Sequence, residues 1–509
     1  MRLITSEQAT TIDDVSMNNF NISANSLMGN AGNRIAQKAK SIISNNFDSK
    51  ILVICGKGNN GGDAYAAASI LYKEGYSVLL HSIIPETKIN NDSYYFYKKC
   101  ISSNITCTYG DQIKVKHSPD LIIDGLIGIG LKGGLRNNLV SIINWINNSN
   151  SKILSIDIPS GLDCNNGIIQ TISVKADVTI TFGVAKVGMF LRSGPEYCGK
   201  IFVEDIGFPN IEKVGIAGLD WRLFNEKIIK FHYSKIKTDL NKYSAGKVLI
   251  IAGSRGMTGA AILSTYAALR SGAGMTLTAN PSSLNEVYEK AIIEGMTLPL
   301  DDDNCGIIKN KHFDIIMDKV EWADSVLLGP GLGRDNSTQR LIKRLFKAIK
   351  KPLVLDADGL YPFTKNFEQL NERQCPLIIT PHFGELQRLS GQSKEKLIYS
   401  FTDSMMKLMK KFYGVCLIKQ IPSCIFEGNN VIINNSGNPG LATAGTGDVL
   451  SGLIASLLSQ GLSCYQASSI GAFIHGKASD DLIKDKGRRG QIASDLLKSI
   501  PKIIKKYES

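Results

Sequence analysis

Polar side chains follow three apolar runs in the first half of the chain, in positions that suit acid–base chemistry or cation binding. They are Asn59, Asn60 and Asp63 after Ile51–Cys55, Asp124 after Leu121–Ile123, and Asp157 and Ser160 after Ile153–Ile156. A single aspartate in such a place is more often a helix cap. The carboxyl ends of parallel strands, however, open into one crevice. There, grouped Asn, Asp and Ser oxygens can hold a hard cation, orient hydroxyl groups or supply a general base.

The second half carries the most informative segment, GNPGLATAGTGDVLSG at 437–452, which runs into an apolar helical pattern. Backbone N–H groups at the start of such a helix form an anion-binding cradle. Asp448 lies in the predicted first turn, where it can take a proton from a hydroxyl group that attacks a phosphoryl group. The alternative is a simple helix-end charge that contributes less than about 1 kcal/mol. The surrounding Gly-Thr-Gly favours the phosphate site.

The other glycine motifs are weaker evidence for a ligand site. Gly56, Gly58 and Gly61 match G-x-G-x-x-G, as do Gly128, Gly130 and Gly133, but the next strand, YSVLLHSI, lacks the acidic residue of an ordinary dinucleotide site. Tight strand-to-helix turns explain these glycines equally well. Gly471–Lys477 and Gly194–Lys200 match G-x-x-x-x-G-K, but neither is followed by the Ser or Thr that would bind Mg²⁺. We therefore predict no Walker-type site.

The elements that must position these residues form two similar series. Each opens with an apolar strand and a glycine-rich turn, at Ile51–Cys55 and at Lys247–Ala252, and continues with short β-branched runs that alternate with helical stretches. This pattern predicts an α/β protein with parallel sheets covered on both faces. We place the boundary near residue 222, which gives two domains, 1–222 and 223–509.

Four segments of the first domain resemble, in order and spacing, the NAD(P)H-hydrate epimerase domain. They are GNNGGD (58–63), DGLIGIGLKG (124–133), DIPSGLD (157–163) and TFGVAKVG (181–188). The resemblance covers about residues 1–210 and implies a Rossmann-like three-layer fold. It also implies that Asn60, Asp124 and Ser160 bind K⁺, and that Asp157 and Lys186 are the acid–base groups. The implied contacts to hydrated nucleotide are Asn59, Asn60, Gly61, Gly62, Asp63, Gly128, Ile129, Gly130, Leu131, Lys132, Gly133, Gly134 and Asp157.

The second domain resembles the ADP- or ATP-dependent NAD(P)H-hydrate dehydratase, which has a ribokinase-like fold. The segments that carry this resemblance are GSRGMTGAA (253–261), LGPGLGR (328–334), LDADGL (355–360), TPHFGEL (380–386) and the stretch around Asp448. By position, Ala260, Gly331, His382 and Asp448 are expected to contact the hydrate. Lys419, Gln420, Ile421, Pro422, Ser423 and Gly447 are expected to bind the adenine nucleotide, with Mg²⁺. Gln420, Phe383, Thr258 and Ala444 depart from the family pattern, and Gln420 replaces a glycine of the nucleotide loop.

Composition excludes several classes of protein. The 509 residues are 43% hydrophobic and 20% charged, which fits a globular protein rather than a disordered or disulfide-rich one. The net charge of +12 is spread along the chain, so it does not indicate nucleic acid. No apolar run approaches the roughly 18 residues of a membrane span. Ten scattered cysteines without C-x-x-C spacing indicate reduced thiols and a cytoplasmic protein.

Together, the two resemblances imply a bifunctional repair enzyme. It would interconvert the R and S forms of hydrated NADH and NADPH, and dehydrate the S form by phosphorylation at C6 and elimination of phosphate. Such an enzyme is expected to be a homo-oligomer with no nucleic-acid or membrane partner. Two alternatives remain at this stage: a ribokinase-type vitamin or sugar kinase, and a non-catalytic first domain that binds nucleotide or RNA.

Overall fold

The computed structural model describes residues 1–89, 91–113, 115, 118–131, 133–233 and 239–508. The chain divides into two compact units, one formed by residues 2–218 and the other by residues 219–509 together with Met1. In both units, strands alternate with helices along the chain and pair mainly in parallel. The predicted α/β class is therefore confirmed.

The elements of the amino-terminal unit, within the described residues, are as follows. The strands are β1 (Arg2–Ile4), β2 (Lys50–Cys55), β3 (Ser77–Ser82), β4 (Cys107–Tyr109), β5 (Leu121–Gly125), β6 (Lys152–Ile156), β7 (Val178–Phe182), β8 (Ala185–Lys186) and β9 (Lys200–Glu204). The helices are α1 (Ser6–Phe20), α2 (Ala24–Ile42), α3 (Asn59–Lys73), α4 (Asn91–Ser102), α5 (Asn137–Asn147) and α6 (Gly194–Tyr197).

A parallel sheet in the order β4-β3-β2-β5-β6-β7-β9 forms the centre of this unit. Successive side chains of β2 belong to different cores: Ile51 and Val53 pack with α2 and α3, whereas Leu52 and Ile54 pack with α5. Because side chains alternate across a strand, this division gives helices on both faces of the sheet. The three-layer arrangement brings the carboxyl ends of the strands to one edge.

The turn after β2 lies directly against the segment after β5. A Cβ atom at Gly56 would lie 1.8 Å from the Leu126 carbonyl oxygen, so only glycine permits this contact. The Gly56 amide also donates to the Gly125 carbonyl oxygen over 3.0 Å. The glycine-rich turn therefore joins two strand ends whose polar residues are separated by more than sixty positions in sequence.

The elements of the carboxyl-terminal unit, within the described residues, are as follows. The strands are β10 (Asp220–Leu223), β11 (Lys247–Ile251), β12 (Met275–Pro281), β13 (Met296–Leu300), β14 (Ser325–Leu328), β15 (Leu353–Leu355), β16 (Leu377–Ile379), β17 (Val415–Ile418), β18 (Cys424–Glu427) and β19 (Asn430–Ile433). The helices are α7 (Lys227–Tyr233), α8 (Thr258–Arg270), α9 (Asn285–Ala291), α10 (Phe313–Trp322), α11 (Asn336–Ala348), α12 (Phe383–Ser390), α13 (Lys394–Tyr399), α14 (Phe401–Met409), α15 (Thr446–Ser459), α16 (Cys464–Lys486) and α17 (Ala493–Lys505).

These strands pair in the order β13-β12-β11-β14-β15-β16-β17-β18-β19-β10, and only the β17–β18 and β18–β19 pairs are antiparallel. The apolar helix α15 packs on one face of this sheet, beside α8 and α16. Asp356, which follows β15, accepts a hydrogen bond from Ser451 of α15, and Lys419, which follows β17, lies close to Gly447 in the first turn of α15. No helix in the described part of the chain is both long and apolar enough to cross a lipid bilayer.

Candidate active sites

A cavity of about 830 Å³ opens at the carboxyl ends of the strands in the amino-terminal unit. Ten of the residues predicted for this site line it: Asn59, Asn60, Asp63, Gly128, Ile129, Gly130, Leu131, Gly134, Asp157 and Lys186. Gly61, Gly62 and Gly133, and the predicted cation ligands Asp124 and Ser160, do not line it. Lys132 lies outside the described residues. Most of the predicted set thus meets in one place.

Asp157 and Lys186 form a buried ion pair at the wall of this cavity. The Lys186 ammonium donates to Asp157 Oδ1 and to Thr181 Oγ1, the latter over 2.8 Å, and Thr181 Oγ1 donates to the same Asp157 oxygen over 2.9 Å. The Lys186 side chain is only 4% exposed, against 15% for Asp157. Asp157 also has φ of +63°, which is unusual for a non-glycine residue. Backbone strain of this kind is concentrated at functional sites.

Two further carboxyl groups face the same cavity. Burial raises the pKa of Asp63 well above its ordinary value, and the nearby Asp157 and Asp13 carboxylates add to this effect. Burial, together with Asp157, raises the pKa of Asp13 to about 6, although Lys186 acts in the opposite direction. Sequence reasoning overlooked Asp13, which lies on α1, far from every glycine-rich turn. Its only sequence signal is its place directly after the apolar Ile12.

Asp124 and Ser160 meet behind the cavity, as their strand-end positions predict. Asp124 is fully buried and accepts hydrogen bonds from Ser160 Oγ (2.6 Å), the Ser160 amide (3.0 Å), Ser155 Oγ (2.9 Å) and the Leu126 amide (3.2 Å). Burial raises the pKa of Asp124 above its ordinary value, although these hydrogen bonds act to lower it. No lysine or arginine in the described ranges forms an ion pair with it. The Asn60 side-chain amide nitrogen is also buried, and it has no hydrogen-bond partner among the residues described.

In the carboxyl-terminal unit, the predicted phosphate cradle is a glycine turn at the start of α15. Gly445 precedes the helix with φ of +88°, a conformation that favours glycine, and Asp448 lies in the first helical turn. Behind this turn, His475 Nε2 lies 2.9 Å from the Thr446 carbonyl oxygen. Burial lowers the pKa of His475 to about 4, so the ring is neutral and Nε2 is the donor. The turn is therefore fixed from its buried side.

Four side chains surround Asp448 or its helix turn. Lys419 Nζ lies 2.6 Å from Asp356 Oδ1 and 3.9 Å from Glu385 Oε2, and Ser451 Oγ donates to Asp356 Oδ2 over 2.5 Å. Burial, followed by the Asp356 carboxylate, raises the pKa of Asp448 to about 7, whereas Lys419 lowers it. Burial alone would lower the pKa of Lys419, but Asp356 and Glu385 outweigh it and raise that pKa.

Asp356 and Glu385 lie in two of the segments that carry the resemblance to the dehydratase, but no role was predicted for either residue. The signals were present, because Asp356 directly follows β15 and Glu385 stands three residues after His382, at capping-box spacing. The structure shows that capping box: His382 Nδ1 accepts from the Gly384 amide (2.9 Å), and Glu385 Oε2 accepts from the His382 amide (2.9 Å). His382 is half exposed and its substrate contact stays a prediction.

The remaining predicted residues fall into two groups. Gly331 lies against Ala260, because a Cβ atom at Gly331 would lie 2.9 Å from the Ala260 Cβ. Gln420, Ile421, Pro422 and Ser423 form the turn between β17 and β18, directly after Lys419, and a Cβ atom at Gly447 would lie 3.4 Å from Lys419 Nζ. Gln420 does not have a positive φ, so its replacement of glycine causes no backbone strain.

These observations define an α/β enzyme that contains two different ligand sites. One is a cavity with a lysine–carboxylate pair, and the other is a glycine turn at a helix start with a carboxyl group whose pKa is raised to about 7.

Comparisons with known proteins identify the family. Residues 248–502 match the family model of the NAD(P)H-hydrate dehydratase, and residues 24–188 match that of the YjeF-related protein N-terminus. The bifunctional NAD(P)H-hydrate repair enzyme Nnr of Moorella thermoacetica is 31% identical over 519 residues, covering 100% of this chain and 97% of that protein. The enzyme of the same name from Dictyoglomus turgidum is 33% identical, covering 99% and 98%. A solved structure of a ribokinase-like superfamily protein from Enterococcus faecalis is 27% identical, covers 57% of this chain and 97% of that one, and has a TM-score of 0.49.

The chain therefore belongs to the family of bifunctional NAD(P)H-hydrate repair enzymes. The sequence predicted this family, and it predicted an enzyme that combines an epimerase with a dehydratase. Both predictions are confirmed.

Proposed function

We propose that residues 1–222 epimerise hydrated NADH and NADPH, and that residues 223–509 dehydrate the S epimer with ADP or ATP. The observation that carries the dehydratase assignment is Asp448 in the first turn of α15, beside Lys419 and Asp356. Hydrate and nucleotide would meet at this helix start. The epimer produced by one domain would then be the substrate of the other.

The dehydration follows from these groups. In its ionised form, Asp448 takes the proton of the C6 hydroxyl group as that oxygen attacks the terminal phosphoryl group of the nucleotide. The backbone N–H groups of the turn from Gly445 to Asp448 stabilise the negative charge that develops on the phosphoryl oxygens. Phosphate is then a far better leaving group than hydroxide. Its departure from C6, with loss of a proton from C5, restores the dihydronicotinamide ring.

Magnesium would accompany the nucleotide rather than occupy a site built only from protein. No cluster of three or more His, Cys, Asp or Glu residues able to hold a metal occurs in the described part of the chain. Mg²⁺ usually binds through substrate phosphates and one or two carboxylates. Asp356 is suited to that smaller share, which leaves Asp448 to accept the proton, and the ion would neutralise phosphate charge.

Potassium fits the residues behind the epimerase cavity. Asp124 is a buried carboxylate with no ion-pair partner among the described residues, and a buried charge of this kind is costly unless a cation accompanies it. The Asn60 side-chain amide, close to Gly128, leaves one buried polar atom without a hydrogen bond. A flip of the amide group exchanges its oxygen and nitrogen, so this atom can be an oxygen ligand. With Ser160, these residues offer the oxygen ligands that a hard cation prefers. The ion would hold the loop that contacts the nucleotide.

We also propose a homo-oligomer that acts on these small molecules in the cytoplasm, without a nucleic-acid or membrane partner. The cysteine pattern supports a reducing compartment. The dispersed positive charge suits anionic nucleotides.

One assay tests both activities. The purified protein is given R-enriched hydrated NADH, with or without ADP and Mg²⁺, and the absorbance of the dihydronicotinamide ring is followed. We expect full conversion with nucleotide, and only epimer exchange without it. A protein that converts only the S fraction lacks the epimerase, and one that instead phosphorylates a vitamin precursor is a kinase of the rival class.

Removal of potassium is expected to slow only the epimerase. Exchange of K⁺ for Li⁺ should lower the epimerisation rate by roughly 10- to 100-fold, the range typical when support of a site is lost. The Asp124→Asn variant should respond to neither ion, because its site lacks the carboxylate. Thermal unfolding gives a second readout, since a bound ion stabilises the folded state. Equal epimerisation rates and melting temperatures in the two salts would refute a potassium site.

A further inference from the structure

Asp13 lines the epimerase cavity from a helix that precedes both glycine-rich turns of this domain. It lies on α1, outside residues 24–188 that match the family model of this domain. It is half buried and lines the cavity together with Asp63, Asp157 and Lys186. The function proposed above gives it no task.

The fold holds Asp13 in a defined place relative to Lys186. Strand β1, which immediately precedes α1, pairs in parallel with β8, so that Ile4 lies opposite Lys186. The helix begins at a full capping box formed by Thr5 and Gln8. Ile12, next to Asp13, packs in a small core with Val184. One strand pair and one core therefore fix Asp13 against the same segment that carries the lysine.

The environments of Asp13 and Asp157 differ. Asp157 is held by Lys186 and Thr181, which both donate to the same carboxylate oxygen. Asp13 makes no ion pair or hydrogen bond among those found for the described side chains, and its carboxyl group faces the cavity. The charged groups around it are Asp157 and Lys186 at the sheet edge, Asp14 on its own helix and Asp63 on α3. Lys57, Asp92 and Arg136 line the rest of the cavity.

Two carboxyl groups in different environments are the usual means of dividing acid and base roles. We infer that Asp13 is the general acid of the epimerase, with the Asp157–Lys186 pair as the base; this rests on the proposed epimerase function of the domain. Asp63, whose pKa burial raises well above its ordinary value, follows the glycine-rich turn that is expected to hold the nucleotide, and we assign it no proton transfer. Asp13, with a pKa of about 6, can exchange its proton.

The chemistry is a reversible ring opening in which all protons are returned. Asp157 takes the proton of the C6 hydroxyl group, the C6–N1 bond breaks, and its electron pair goes to N1, which receives a proton from Asp13. The product is an open-chain aldehyde. After rotation about the C5–C6 bond, N1 attacks the other face of the aldehyde, gives its proton to Asp13, and the new hydroxyl oxygen takes the proton back from Asp157. No oxidant, reductant or external water is consumed.

The test compares Asp13→Asn with Glu7→Gln in the full chain, with nucleotide omitted so that the dehydratase is idle. Glu7 is an exposed carboxylate on the same helix that does not line the cavity, and it serves as the matched control. Epimer exchange is followed by chromatography and corrected for the uncatalysed rate. We expect Asp13→Asn to lose about 10²–10⁴-fold in rate, the usual contribution of a general acid, and Glu7→Gln to stay within about twofold. Asp13→Glu, which keeps the acid, should recover part of the rate.

The pH profile separates a proton donor from a structural residue. For the natural chain, kcat/KM of epimerisation should fall as the pH rises above about 6, because the acid form of Asp13 is lost. Asp13→Asn should lack this descending limb. Because the pKa of Asp13 is higher in the folded chain than in the unfolded chain, ionised Asp13 lowers the stability of the fold above about pH 6. The asparagine variant should therefore be no less stable than the natural chain at about pH 8.

Each outcome has one meaning. A rate for Asp13→Asn within about twofold of Glu7→Gln, or a kcat/KM of the natural chain that is flat between about pH 6 and pH 8, overturns the assignment. Peptide-resolved hydrogen exchange across residues 2–218 reports whether the domain that contains Asp13 is folded in the variant, and if it is not, the pH profile of the natural chain decides. Failure of the natural chain itself to exchange epimers would instead overturn the proposed function.

Discussion

Replacement of Asp448 by asparagine is expected to lower the dehydration rate by about 10²–10⁴-fold, the contribution of a positioned general base. The variant keeps the shape of the helix start, and the amide groups from Gly445 to Asp448 remain available to phosphate. We therefore expect ADP to bind with an affinity within a few-fold of that of the natural chain. The measurements are steady-state dehydration of S-hydrate and calorimetric titration with ADP. An exposed aspartate of the same domain, Asp403, gives the control variant Asp403→Asn.

The pH dependence of the same reaction checks the role of Asp448 independently. Burial and the Asp356 carboxylate raise its pKa to about 7, and a base must be ionised to accept a proton. The value of kcat/KM should therefore rise with pH through about 7 and reach a plateau above it, whereas the residual activity of Asp448→Asn should lack this step. A natural chain whose dehydration rate is unchanged between about pH 6 and pH 8 would show that another group takes the proton.

The same linkage affects stability. Because the pKa of Asp448 is higher in the folded chain than in the unfolded chain, its ionisation lowers stability as the pH rises from about 4 to about 7, and the full penalty remains above about pH 7. The asparagine variant should consequently be no less stable than the natural chain at about pH 8. A loss of activity that is accompanied by such an unchanged melting temperature is a chemical effect rather than unfolding.

The strand-end residues could be predicted from sequence because their geometry is local. Asn59 and Asp448 each follow a glycine-rich turn that opens a helix, and the order strand, turn, helix fixes the edge of the sheet on which such residues lie. The glycines were also informative for a steric reason, as the contact of Gly56 with the Leu126 carbonyl shows. The alternation of apolar runs and helices was sufficient for the α/β class.

The residues that were not predicted depend on contacts between distant parts of the chain. Asp13 reaches the cavity because β1 pairs with β8, and nothing in the three-residue strand Arg2–Ile4 indicates its partner. Asp356 acquires its importance from Lys419, sixty-three positions later, and from Ser451 on α15. A lone aspartate after a short strand is typical of many loops, so its significance appears only when the lysine is placed beside it. Burial, which raises the pKa of Asp448 and Asp13, is likewise a property of the assembled fold.

The strand β10 lies where we placed the domain boundary, near residue 222, and its sequence gives little sign of a strand. Its four residues, Asp220–Leu223, include only one that is fully buried, Trp221, so the alternation is too short to be recognised. Pairing with β19 provides the register that the local sequence lacks.

Removal of one partner of the Asp157–Lys186 pair is expected to lower both the epimerisation rate and the free energy of unfolding. In Asp157→Ala, the Lys186 ammonium, with its side chain 4% exposed, loses its counter-charge and keeps only the Thr181 hydroxyl. Breaking a buried pair in this way typically costs about 3–5 kcal/mol. Lys186→Met should cost less, because the Asp157 side chain is more exposed, at 15%, and its charge can be hydrated.

The double variant Asp157→Ala with Lys186→Met gives the sharper test, because no buried charge is left unpaired. If the pair acts as one unit, the double variant should be more stable than Asp157→Ala alone by at least about 1 kcal/mol, while its epimerisation stays as low as that of either single variant. Peptide-resolved hydrogen exchange of the full chain, across residues 152–190, measures the stability of this region, and chromatography of the epimers measures the rate. Additive losses of stability would contradict the coupling. Epimerisation that survives in Asp157→Ala would show that the ion pair holds the cavity together but does not move the proton of the C6 hydroxyl group.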